Sequence, residues 1–244
     1  MEMAHAVFLV VGALAGGIVN GLTGFGTAIT ALGIWVYAIP PTDASSLSII
    51  CSTVSQTQNL HLIWRSIEWK RVLFFVIPGV FGVPLGTFLL PHVDPRLFKL
   101  GLGGFLMIYP AYVLARTHQI ESAWGGKTAD GAVGFISGIL GGFTGLSGVL
   151  PVVWTDIRGW GKEQRRSVVQ FFNMAILSLA LVSHAVSGLL TRQVAVEVMI
   201  VLPATIGGSW FGAFIYRRLA DRGYQRIVMV LLLISGATLI WTAW

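Results

Sequence analysis

The sequence predicts an all-α polytopic membrane protein of two four-segment repeats, inverted relative to one another, each with a broken or re-entrant first helix. Three observations predict it. Of 244 residues 55% are hydrophobic and only 11% charged, against roughly 25% charged in a soluble domain. Uncharged stretches of about 20 residues, enough to cross a hydrocarbon core as helix, recur from end to end. Motifs of the first half return in the second at a nearly constant offset.

The segments follow in order. The first, 5–39, is interrupted by Gly21-Leu22-Thr23-Gly24-Phe25-Gly26, which closes a run containing Gly12 and Gly16. The second, 44–63, is the most polar. The third, 72–91, carries Ile77-Pro78-Gly79 and Gly82, and the fourth is 97–115. After the longest connection, 116–129, the fifth segment, 130–154, is broken again at Gly142-Phe143-Thr144-Gly145-Leu146-Ser147-Gly148, behind Gly134 and Gly138. The sixth is 167–190. The seventh, 194–216, contains Leu202-Pro203-Ala204 and Gly207, and the eighth is 226–243. The broken motifs are offset by 121 to 122 residues and the proline motifs by 125, so a duplicated unit is the economical reading. It divides the chain into repeat 1 (1–118), a linker (119–129) and repeat 2 (130–244). Eight of the nine tryptophans fall at or beyond segment ends, the level of lipid headgroups, and only Trp210 lies mid-segment.

The rest of the composition excludes other classes. With 16 basic and 10 acidic residues the net charge is +6, but the basic residues are scattered through short loops, which argues against nucleic acid as a partner. The lone Cys51, in an apolar stretch, supports neither a disulfide framework nor a metal site, and no metal or other cofactor is expected. The start, Met-Glu-Met-Ala-His, lacks the positive region of a secretory signal and reads as the start of the mature protein.

Charge orients the segments. If all eight cross the bilayer, the two faces carry 6 and 10 basic residues. If 5–39 and 130–154 each dip in and return, one face collects 13 and the other keeps Arg96, Lys99 and Arg192. The positive-inside rule prefers the second arrangement. It places both termini outside the cytoplasm and gives each half three crossings, an odd number that inverts the repeats. The arms around the first motif, about 13 to 16 residues each, reach past the middle of a ~30 Å core without crossing it. The return arm of the second motif is shorter, which leaves a complete kinked span open there.

The two Thr-Gly motifs carry the chemistry. Irregular backbone at membrane depth is tolerated where protein or a water-filled cavity satisfies it. At each break a new half-helix begins, with free N–H groups and the positive end of its dipole, which suits an anion. Thr23, Gly24, Phe25 and Gly26, with Thr144, Gly145, Leu146, Ser147 and Gly148, are therefore candidate substrate-binding residues. Gly12, Gly16, Gly134 and Gly138 read instead as close helix packing. Segment 44–63 places Ser45, Ser48, Ser52, Ser55 and Asn59 on one helical face, and segment 167–190 offers Gln170 and Asn173. Ser52, Ser55, Gln170 and Asn173 join the candidate list as neutral groups that hold an anion without trapping it. Of the carboxylates only Glu197 enters a segment, so no paired proton relay or cation cluster is visible. Glu197, His61 and His184 are the titratable groups available to coupling, and none is assigned that role.

With these motifs the chain resembles the TauE/SafE family of sulfite and organosulfur-anion exporters. The resemblance rests on Gly-Leu-Thr-Gly-Phe-Gly and Gly-Phe-Thr-Gly-Leu-Ser-Gly, the segments at Pro78 and Pro203, the length and the four-plus-four layout, and it spans essentially the whole chain. It implies a multi-pass transporter of the cytoplasmic membrane that moves small sulfur-containing anions such as sulfite or sulfonates, with the lipid bilayer as its surroundings. Which anion is carried, and whether copies associate as a homo-oligomer, stay open.

One reading from another class competes. Gly145-Leu146-Ser147-Gly148 also fits the G-x-S-G pattern of rhomboid-type intramembrane proteases, with Ser147 as nucleophile and His184 as its base. Against it, the equivalent Phe25-Gly26 has no nucleophile and the rest of that pattern is missing.

Overall fold

A computed structural model of the chain describes residues 3–35, 38–64, 67–89, 95–115, 126–241 and 243. Those residues contain no strand and form helices α1 (Met3–Thr23), α2 (Thr27–Trp35), α3 (Pro41–Gln58), α4 (Leu60–Ile63), α5 (Trp69–Leu89), α6 (Pro95–Ala115), α7 (Gly126–Thr144), α8 (Val149–Ile157), α9 (Lys162–Val186), α10 (Arg192–Arg218) and α11 (Asp221–Trp241). Among the described residues, five helices are long and apolar enough to cross a membrane: α1, α5, α9, α10 and α11. Helix α7 begins at Gly126, and residues 119–125 lie outside the described residues.

Local signals set the helix ends. Pro41 opens α3, where a missing N–H costs nothing. The Thr191 hydroxyl caps α10 by accepting from the Val194 N–H at 3.2 Å, and Arg217 and Arg218 complement the dipole in its last turn. Helices α1 and α7 stop for the same reason. The residue after each, Gly24 or Gly145, takes a left-handed φ, +79° and +75°, and returns its N–H to Asn20 or Gly141. A side chain at that φ would be strained, which explains the Thr-Gly sequence at both breaks.

Past each break the chain folds back. Trp35, at the end of α2, donates its indole N–H to the Leu9 carbonyl at 3.0 Å, and Gly12 leaves room for its ring. Trp154 of α8 likewise donates to Asp130 near the start of α7, at 2.7 Å. Helices α2 and α8 are both 9 residues long, so the return arms are equal, correcting the expectation of a longer first arm and a weaker second hairpin. Helix α1, with 21 residues, is correspondingly longer than expected. Leu9, Trp35, Ala44 and Leu47 share one apolar cluster, so α3 starts at the end where α1 started.

Glycine decides which helices approach most closely. α1 runs parallel to α10: a Cβ on Gly17 or Gly21 would sit 2.5 or 2.0 Å from the Thr205 or Ser209 carbonyl oxygen, and one on Gly212 would sit 2.1 Å from that of Ile18. α7 packs on α5 in the same way, Gly134, Gly138 and Gly142 facing the carbonyls of Phe75, Gly79 and Val83. The packing role expected for Gly134 and Gly138 is thus realised against α5, while Gly12 and Gly16 make room for α2. The other main pairs are α3 with α9 and α6 with α11. Exchanging the halves, α1 for α7, α3 for α9, α5 for α10 and α6 for α11, leaves these pairings unchanged.

Large apolar side chains such as Phe81, Ile108, Met199 and Trp210 point outward and polar ones inward, the arrangement a lipid solvent selects. One end of the bundle is basic and cross-linked: Arg71 pairs with Glu68 at 2.8 Å, Arg158 lies 3.7 Å from Asp130, Lys162 donates to the Leu219 carbonyl, and Arg217 meets His61 at 3.2 Å.

Candidate functional site

The two breaks meet. A Cβ on Gly148 would lie 2.7 Å from the Phe25 Cβ and 2.6 Å from Asn173 Nδ2, so each break packs against the other and against α9. Between them is a chamber lined by Asn20, Phe25, Gly26, Ala28, Ser52, Gln56, Gly145, Leu146, Gly148, Val149, Asn173 and Leu177. Gly26 and Ala28 belong to the start of α2, and Gly148 and Val149 to the start of α8. Two sets of N–H groups without intrahelical acceptors therefore border one space. Asn173 stands 11 residues from the start of α9 and 13 from its end, so the chamber lies near mid-depth. In this conformation it has room for about one water molecule.

A side-chain network holds the breaks open as backbone. Gln56 Nε2 donates to the Gly24 carbonyl at 3.0 Å and Asn173 Nδ2 to the same oxygen at 3.3 Å. Ser147 Oγ donates to Asn173 Oδ1 at 2.6 Å, tying the second break to the amide that supports the first. Asn20 Nδ2 donates to Thr27 Oγ1 at 2.7 Å across the first break. The Tyr224 hydroxyl, from α11, donates to the Thr23 carbonyl at 3.0 Å.

Arg166 completes it. Fully buried, it donates from Nη2 to the Gly21 carbonyl at 2.7 Å, from Nη1 to that of Leu22 at 3.3 Å, and from Nε to Gln170 Oε1 at 3.2 Å. Its guanidinium carbon lies 3.8 Å from the centre of the Tyr216 ring. These carbonyls are the unpaired end of α1, the negative pole of its dipole, so the helix end itself serves as the counter-charge.

The expected site residues separate into groups. Phe25, Gly26, Ser52, Gly145, Leu146, Gly148 and Asn173 line the chamber. Gly24 and Ser147 reach it through the hydrogen bonds just given. Gln170 stands behind the wall, donating to the Gln56 carbonyl at 3.2 Å while accepting from Arg166. The Thr23 hydroxyl shares its proton between the Val19 and Phe25 carbonyls, at 2.8 and 2.7 Å, so it shapes its own turn rather than facing the chamber. Ser55 is buried but does not line the chamber, because the wall is formed by the Ser52 and Gln56 side of α3. The Thr144 side chain lies outside the described residues.

Asn20 and Gln56 line the chamber, and Arg166 and Tyr224 bond to the end of α1 beside it, although none of the four is among the residues expected from the sequence. Arg166 counted there as a charge in a loop, yet it shares a helical face with Gln170 and Asn173 at i, i+4 and i+7, a spacing that could have revealed it. Carboxylates are also deeper than expected: Asp130 and Asp156 are buried, and Asp156 accepts from Arg165 at 3.0 Å, Tyr109 at 2.8 Å and Gln225 at 2.7 Å. Among the described residues no three metal-ligating side chains cluster.

The protease arrangement is corrected by the geometry. His184 Nδ1 bonds the Ser46 hydroxyl at 3.0 Å, whereas Ser147 bonds Asn173, about three helical turns away along α9. No dyad forms. Ser147→Ala is accordingly expected to preserve anion flux to within about tenfold while removing one hydrogen bond, and a measured loss of peptide cleavage by that variant would contradict this.

Broken helices that meet at a polar chamber inside an apolar bundle define a membrane transporter. The chain belongs to the sulfite exporter TauE/SafE family, whose model matches residues 8–239. No curated protein and no solved structure shows significant similarity to it.

Proposed function

We propose that the protein is a secondary transporter that exports small sulfur-containing oxyanions, such as sulfite or a sulfonate, across the cytoplasmic membrane. The observation that carries the reading is the meeting of two half-helix N-termini at one buried chamber with neutral amides and hydroxyls in its wall. Substrate binds there between the α2 and α8 starts, beside Gly24 to Gly26 and Gly145 to Gly148, with Ser52 and Asn173 completing the shell. The family match supports the substrate class.

The halves act as inverted repeats that rock about this site to give alternating access. The antiparallel pairing of α3 with α9, where Ser46 meets His184 and Gln56 meets Gln170, supports that relation. The basic end faces the cytoplasm and both termini lie outside.

Flux of labelled sulfite and sulfonates into proteoliposomes tests the reading. Saturable uptake under an imposed gradient is expected, and its absence for every anion and gradient would sink it. Sidedness is tested in a Cys51→Ser background with single cysteines at position 5 and at 40–43. Both are expected to react with a membrane-impermeant thiol reagent from the same, external face, and labelling from opposite faces would refute the hairpin topology.

A further inference from the structure

We propose that the chamber selects a singly charged oxyanion that still carries a proton on oxygen, over both the fully deprotonated dianion and anions in which that O–H is replaced. The inference rests on the anion-transport reading of the same site and adds the protonation state of the substrate.

The chamber offers two kinds of partner. The starts of α2 and α8 supply N–H donors, which suit bare, negatively charged oxygens. Gln56 Oε1 and Asn20 Oδ1 are acceptors: both residues line the chamber, are 0% and 1% exposed, and neither oxygen has a hydrogen-bond partner. The orientation of Gln56 is fixed, because its other end donates to the Gly24 carbonyl, which can only accept. A buried acceptor without a donor is costly. A dianion would set its lone pairs against these oxygens, whereas a monoanion of the form XO2(OH)⁻ gives its bare oxygens to the helix starts and its O–H to Gln56.

No residue lining the chamber titrates. Arg166, Tyr216 and Tyr224 stand behind the wall, held to the end of α1 and to one another, and His184 is bonded to Ser46 at the other end of α3. Cys51 of α3 packs in the cluster around Trp35, and Asp156 of α8 is held by Arg165. Dependence of binding on pH at this chamber therefore comes from the anion.

Sulfite and methanesulfinate provide the test, since hydrogen sulfite, HO–SO2⁻, and methanesulfinate, CH3–SO2⁻, have the same charge and a methyl group replaces the O–H in the second. With the full chain in proteoliposomes, sulfite uptake at fixed subsaturating total concentration is expected to fall about tenfold for each pH unit above the second ionisation of sulfite. Methanesulfinate is expected to compete at least about tenfold more weakly, because sites that hydrogen-bond a substrate hydroxyl reject analogues lacking it. Gln56→Leu also removes the bond to the Gly24 carbonyl and so weakens both anions, but it is expected to raise the sulfite KM about tenfold more than it weakens methanesulfinate competition; should that variant fail to fold, Asn20→Ala reports on the second acceptor. A purely structural role for Gln56 would weaken both anions alike. Uptake that rises with pH, equal competition by methanesulfinate, or equal losses for both anions in the variants would overturn the proposal. Absence of any anion flux in the wild type would overturn the transport reading itself.

Discussion

Gly138→Ala is expected to cost at least about 3 kcal/mol of stability, more than an ordinary overpacked core substitution. The added Cβ would lie 2.0 Å from the Gly79 carbonyl oxygen and 2.8 Å from its Cα. Both obstacles are backbone, so no rotamer change relieves them, and α5 and α7 must separate. The same substitution at Gly207 should behave oppositely. That glycine, also inside a long helix, has open space where a Cβ would go, and alanine there is expected to stabilise by up to about 1 kcal/mol through helix propensity alone. Thermal unfolding of the two variants in one detergent checks the pair. A Gly138→Ala protein as stable as wild type would show that the close seam is not what holds the halves together.

Arg166→Met is expected to combine a fold defect with a larger loss of anion affinity. Removing the guanidinium leaves the Gly21 and Leu22 carbonyls without their donor in a buried setting, at about 1 to 3 kcal/mol each, and loses the contact with Tyr216. It also exposes the chamber to an uncompensated negative helix end. A unit charge at roughly 10 Å in an effective dielectric near 20 contributes about 1.7 kcal/mol, so KM for the anion should rise at least about tenfold. Arg166→Lys restores the charge but not the fork that spans two carbonyls, and should recover affinity better than stability. Flux kinetics beside thermal unfolding separate the two effects. Equal KM values for Arg166→Met and wild type would remove Arg166 from the anion's field.

Much of this was legible beforehand because the signals were backbone signals. Glycine at 24 and 145 sets where helices stop irrespective of tertiary context, and the glycine rows at 134, 138 and 142 declare a close approach. Their partners were not legible: nothing local says that Gly79, Gly82 and Gly86 face α7, or that Gly17 and Gly21 face α10 rather than α2. The site was read one helical step off on α3. Hydroxyl periodicity favoured Ser55, but contact with the Gly24 carbonyl needs the reach of a long amide, which Gln56 supplies. Arg166 escaped because a charge beside a loop looks solvated, and only the fold shows a helix end waiting to accept it.

The parallel seam between α1 and α10 also bears on how the protein is made. Its contacting residues, such as Ile18 and Gly212, lie 194 positions apart, so the first helix to leave the ribosome has no partner until most of the chain has followed. At common synthesis rates of about 5 to 20 residues per second that wait is roughly 10 to 40 seconds. During it a hairpin with a glycine face and a polar turn must be held in the bilayer unsupported. The architecture thus trades early local closure for high contact order, and its biogenesis depends on whatever shelters the N-terminal hairpin until its late partner arrives.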